Sequence, residues 1–96
     1  MKLVMVLVPS ECLPEVQKVI EAHDIHAYTE VPSVLGSGRT GRKLGTRAFP
    51  GTSSMILVIV DKAESAKVLD ALREYAAASE CSEGIRAFSV PAESVF

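Results

Sequence analysis

Ninety-six residues, 48% hydrophobic and 23% charged, suit one ordinary globular domain over residues 1–96 and exclude a disordered chain. The net charge of −2 argues against a protein that coats nucleic acid. The longest apolar runs, Leu3 to Val8 and Met55 to Val60, are far shorter than the ~20 residues that span a bilayer, so a soluble protein without membrane insertion is expected. A domain of this size buries only about two-thirds of its unfolded surface, which makes a partner subunit expected as well.

In chain order, Lys2 to Val8 is rich in Val and Leu and is stopped by Pro9, which predicts a first strand that is apolar on both faces. Pro9, Ser10 and Glu11 interrupt this run too early for a signal peptide, and the expected location is the cytoplasm. Cys12 and Cys81 stand in no metal-type spacing, so they are expected as small buried or half-buried thiols of a reducing compartment and not as a disulfide. Pro14 suits a first helical turn, and Leu13, Val16, Val19 and Ile20 predict a helix that ends near His23 and Asp24. Ala27 to Leu35 predicts a second strand, with Pro32 marking an edge or a bulge.

A glycine-rich basic segment follows. From Gly36 to Arg47 it holds Arg39, Arg42, Lys43 and Arg47 among four glycines, and no acidic residue occurs between Glu30 and Asp61. These four cations leave six basic against twelve acidic residues elsewhere, so a body of about −6 carries a loop of about +4. Exposed backbone N–H groups and cations of this kind can hold an anion. Residues 37–49 are expected to form a long mobile loop.

Pro50-Gly51 closes the loop, and Met55 to Val60 predicts a third strand with two apolar faces. Asp61 to Glu64 has the form of a capping box. Leu69, Leu72 and Ala76, flanked by Val68 and Tyr75, predict a second helix to about Ala78. Gly84 breaks the chain before a fourth strand, Ile85 to Val90, closed by Pro91. The resulting order, βαββαβ, predicts a ferredoxin-like α+β fold with a four-stranded antiparallel sheet, both helices on one face and the long loop between strands 2 and 3. Its open face would expose the second apolar face of strands 1 and 3, and burial by self-association follows.

Gly36-Ser37-Gly38-Arg39-Thr40-Gly41 matches G-x-G-x-x-G literally, but a dinucleotide fingerprint needs a helix directly behind it, and here Pro50-Gly51 and a strand follow. A Walker A reading fails because Arg42-Lys43 replace the required Lys and Ser or Thr. No Ser-His-Asp, Cys-His or paired-carboxylate constellation can be argued from spacing, so no catalytic residue is assigned. The first and third strands lack the stacking aromatics of an RNA-binding module on this topology. His23 and His26 suit a helix C-terminus better than a metal site.

The sequence resembles the PII signalling proteins over nearly its whole length. The resemblance rests on Met1-Lys2-Leu3-Val4, Thr29-Glu30-Val31, the loop entry Gly36-x-Gly38-Arg39, the exit Pro50-Gly51, and Glu83-Gly84-Ile85-Arg86-Ala87-Phe88-Ser89-Val90-Pro91-Ala92-Glu93. It implies a homotrimer that binds an adenine nucleotide, AMP, ADP or ATP, or another small anionic ligand, between neighbouring subunits. Gly36, Gly38 and Arg39 would line one side of that cleft, and Glu83, Gly84 and Arg86 the other. It also implies signalling to a target protein, an enzyme or a membrane transporter, through the long T-loop, where Arg42, Lys43, Arg47 and Phe49 are the candidate contacts.

The departures from the family pattern are specific. The second glycine turn is reduced to Ser79-Glu80-Cys81-Ser82-Glu83-Gly84-Ile85-Arg86, with a single glycine. The loop has no tyrosine, and no arginine follows Arg86 before Phe96. Recognition of a third phosphate is therefore expected to be weak. The alternative is a divalent-metal-responsive trimer similar to CutA, a ferredoxin-like family whose corresponding loop lacks this glycine-basic character.

Overall fold

A computed structural model of the chain describes residues 1–38, 41–43, 52–80 and 84–96. Strand β1 spans Lys2–Pro9, helix α1 Leu13–Glu21, β2 Thr29–Val34, β3 Gly36–Gly38, β4 Gly41–Lys43, β5 Ser53–Val60, α2 Lys62–Ala78 and β6 Arg86–Pro91. A single 3-10 turn, Ser10–Cys12, joins β1 to α1. β1, β2, β5 and β6 form an antiparallel sheet in the order β2-β5-β1-β6. This is the ferredoxin-like architecture the βαββαβ order predicts.

Alternation along the strands decides which face is covered. Val4, Val6 and Val8 of β1 and Ile56, Val58 and Val60 of β5 are buried beneath the helices, where they meet Val16 and Ile20 of α1 and Val68 and Leu72 of α2. Each such side chain contributes roughly 1.5–3 kcal/mol by leaving water, so this layer is the main source of stability. Ser65 of α2 is also buried, and its hydroxyl lies 3.0 Å from that of Ser89. A small polar residue at this point lets α2 approach β6 without leaving a polar atom unsatisfied.

The helix ends follow from local chemistry. Asp61 is the N-cap of α2, its carboxylate accepting the Glu64 amide at 2.7 Å. This bond, and then the Glu64 side chain, hold the Asp61 pKa below its ordinary value. The same contact raises that of Glu64. α1 ends at Glu21, two residues before the predicted end, because Asp24 enters the left-handed region at φ 60°. Aspartate tolerates this region better than most residues, but without a glycine the sequence signal is weak. His23 and His26 therefore lie beyond the helix, both exposed, with His26 Nε2 3.9 Å from Asp24 Oδ1.

Two further expectations are corrected. Cys12 is buried as expected but is disulfide-bonded; sequence spacing does not reveal a bridge that tertiary folding creates. Cys81, the other cysteine of the chain, lies outside the described residues. The glycine-rich segment is also not wholly irregular. β3 and β4 pair antiparallel, Gly36 with Lys43, Ser37 with Arg42 and Gly38 with Gly41, so a short hairpin occupies the first half of the predicted loop. Leu44 to Gly51, with Arg39 and Thr40, lie outside the described residues, and with them most of the expected mobile loop.

Candidate functional site

Strand direction gathers the candidate residues at one end of the sheet. β1 and β2 finish there and β5 and β6 begin there, as the pairs Pro9 with Ser53, Val34 with Ser53 and Leu7 with Arg86 require. Gly36 and Gly38 follow directly from β2, with Arg42 and Lys43 on β4 behind them. Gly84 sits in the turn that leads into β6, and Arg86 is the first residue of that strand. Arg39, Arg47, Phe49 and Glu83 lie outside the described residues.

The two glycine segments share this end but not an edge. β2 and β6 are the outer strands, so Gly36 and Gly84 are separated by three strand spacings, about 14 Å at ~4.8 Å each. A small anion cannot touch both within one copy. Arg86 is exposed and donates from Nη1 to the Ile85 carbonyl at 2.7 Å. A guanidinium has five N–H donors, and the Ile85 bond fixes its orientation while leaving donors for another acceptor.

The loop roots are pinned by hydroxyl groups. β2 changes register against β5 between Val31 and Val34, which realises both the edge position and the bulge that Pro32 predicts. The bulge takes the Pro32 carbonyl out of the ladder, and Ser54, fully buried, donates its hydroxyl to that oxygen at 2.6 Å. Ser10 Oγ lies 3.0 Å from Ser54 Oγ and 2.8 Å from Thr52 Oγ1, and the Ser10 amide donates to the Thr52 carbonyl at 3.1 Å. Sequence reasoning passed over these residues. Their only signal is a cluster of small hydroxyl residues where Val or Ile would continue the apolar strands.

Two further polar pairs lie toward the other end of the sheet, and a third, Tyr75 with Glu15, joins the last turn of α2 to the first turn of α1 at this end. Tyr28 donates to Glu21 Oε1 at 2.7 Å, and Gln17 Nε2 donates to Glu30 Oε1. The Glu21 hydrogen bond, followed by burial, pushes the Tyr28 pKa up to about 12. Tyr75 donates to Glu15 Oε2 at 2.5 Å and is raised mainly by burial. Among the described residues no group of three or more His, Cys, Asp or Glu side chains could hold a metal ion. Among the described residues no helix is long and apolar enough to cross a membrane.

The sheet face opposite the helices is apolar in its middle, with Thr29 on the β2 edge and Arg86 on the β6 edge. Met5 stands between Leu57 and Phe88, Leu3 between Ile59 and Val90, and Leu7 beside Met55. Ile59, Phe88 and Val90 are 53%, 51% and 45% exposed. Contiguous apolar surface of this kind marks an interaction face.

Comparison with known proteins agrees with this architecture. The family model for the nitrogen regulatory protein P-II matches residues 1–96. Two solved structures of CPII, a PII-like protein from Thiomonas intermedia K12, superpose with a TM-score of 0.74 and cover 93% of this chain and 82% of theirs. One, 15% identical, is bound to ADP, AMP and bicarbonate, and the other, 16% identical, to ADP and bicarbonate. No curated protein matches the chain in sequence. With the family model matching along its whole length, the chain belongs to the PII nitrogen-regulatory family.

Proposed function

We propose that this PII-family regulator senses a small anion, foremost an adenine nucleotide, in a cleft between neighbouring subunits and signals to a target protein through its basic loop. The observation that carries the reading is the separation of the two glycine segments: they share one end of the sheet but occupy opposite edges. Only a second copy brings a loop root against a glycine turn. The apolar open face supplies a reason for copies to associate, and a closed trimer satisfies it symmetrically.

Gly36, Gly38 and Arg39 of one subunit face Glu83, Gly84 and Arg86 of the next. Backbone N–H groups and two guanidiniums then hold the anionic part of the ligand. Arg42, Lys43, Arg47 and Phe49 contact the target, an enzyme or a membrane transporter presenting acidic groups, once the ligand has selected a loop conformation. The protein acts in the cytoplasm, as a regulator and not as a catalyst. That the CPII structures hold ADP, AMP and bicarbonate points to nucleotides with fewer than three phosphates, which suits a turn with one glycine.

Calorimetry with AMP, ADP, ATP and bicarbonate tests the reading. AMP or ADP should bind, ATP should gain little over ADP, and Arg39→Ala should lose about 1.5–3 kcal/mol of binding, the range for a charged hydrogen bond. No heat with any of these ligands, together with a melting temperature raised by divalent metal, would move the protein to the metal-responsive alternative. Strong preference for ATP would contradict the reduced-turn argument.

A further inference from the structure

We infer that Thr52, Ser10 and Ser54 form a one-directional hydroxyl chain that clamps both roots of segment 36–51 to the β1–α1 connection and so positions the proposed ligand site. The direction follows from proton accounting. A carbonyl only accepts, so the single Ser54 hydroxyl proton is committed to the Pro32 oxygen at 2.6 Å. The contact of 3.0 Å between Ser10 and Ser54 then requires Ser10 to donate. With the Ser10 proton used, the 2.8 Å contact with Thr52 requires Thr52 to donate to Ser10. The order is Thr52 to Ser10 to Ser54 to the Pro32 carbonyl, and hydrogen bonds aligned in one sense reinforce one another.

Each member belongs to a different part of the machinery. Pro32 lies in the strand that enters the segment, Thr52 and Ser54 where the chain leaves it, and Ser10 in the turn that starts the path to α1. The Ser10 amide also donates to the Thr52 carbonyl, which doubles the link between exit and connector. Ser54 is fully buried on the helix-facing side of β5, so loss of its hydroxyl leaves the bulged Pro32 carbonyl without this donor. Entry and exit are thus tied to one point, and displacement of either root must break or carry the other. The positioning role rests on the proposed nucleotide reading; the clamp itself does not.

The test uses the full chain with Ser54→Ala, Thr52→Val and the hydroxyl-retaining Thr52→Ser, read by amide hydrogen exchange and ADP calorimetry. Ser54→Ala and Thr52→Val should speed exchange at the Ser10 and Val34 amides by about fivefold to tenfold, the equivalent of one ordinary hydrogen bond, while Val4 and Val6 exchange as in wild type. ADP binding should weaken by a similar factor in both variants, and Thr52→Ser should restore both readouts. Wild-type exchange at Ser10 and Val34 in the two disrupting variants would overturn the clamp. Faster exchange with unchanged ADP affinity would overturn the positioning role. If wild type binds no nucleotide, the nucleotide reading and the positioning role fall with it, and exchange alone decides the clamp.

Discussion

Tyr28 shows what a single contact does in this protein. Its phenol donates to Glu21, and that bond with partial burial raises its pKa from 10.0 to about 12. Because the folded value exceeds the unfolded one, the stabilisation is complete below pH 10.0 and is lost as pH rises toward about 12. Tyrosinate absorbance should therefore appear later than for free tyrosine, and Tyr28→Phe should remove the latest-titrating fraction. Wild type should also lose more stability than Tyr28→Phe between about pH 10 and pH 12. Ordinary titration of both tyrosines near pH 10 would contradict the Glu21 contact. Neither this pair nor the disulfide at Cys12 is legible in sequence, because each depends on segments that only the fold brings together.

At the scale of elements, the sequence was most informative where local chemistry decides. The D-x-x-E start at Asp61 is a true N-cap, and α2 begins at Lys62 and ends at Ala78, as its apolar stripe predicts. Asp61→Ala should lower the melting temperature by a few degrees, and Asp61→Asn, which keeps a side-chain acceptor, should stay near wild type. The folded pKa of Asp61 is lowered from 3.8, so its contribution is present above that pH and disappears as pH falls through the lowered value. Below it, wild type and Asp61→Ala should converge; equal melting temperatures at neutral pH would show that the cap contributes nothing. Strand ends were less legible. β5 begins at Ser53, ahead of the predicted Met55, because the hydroxyl residues that open it join the Ser10 and Pro32 network and not an apolar layer. Similarly, β3 and β4 pair through backbone groups of glycines and basic residues, where no hydrophobic alternation announces a strand.

For the whole molecule, the decisive pattern is the double-sided apolar character of β1 and β5. One side forms the core under the helices, and the other leaves Leu3, Met5, Leu57 and Ile59 on the open face. That pattern, and hence the need for a partner, was visible in the two runs Leu3 to Val8 and Met55 to Val60. The distribution of the site across opposite sheet edges was not, since strand order is a property of the fold. Leu57→Glu places a charge in the centre of the proposed subunit contact, where desolvation is costly. Light scattering should report a trimer for wild type and a smaller species for Leu57→Glu with its helical signal retained. A wild-type monomer would remove the subunit cleft.

The cleft itself is tested most directly by complementation between defective copies. Arg39→Ala damages the loop side of every site and Arg86→Ala the turn side, so either variant alone should bind ADP weakly. Co-expressed in equal amounts and purified as mixed oligomers, the two should regain about one-quarter of wild-type ADP sites, the share expected from random assortment around a closed ring. These are the junctions where an intact loop root meets an intact turn. Recovery of that fraction at wild-type affinity is the predicted result. Mixed oligomers that bind no better than the separate variants would contradict a ligand site shared between subunits.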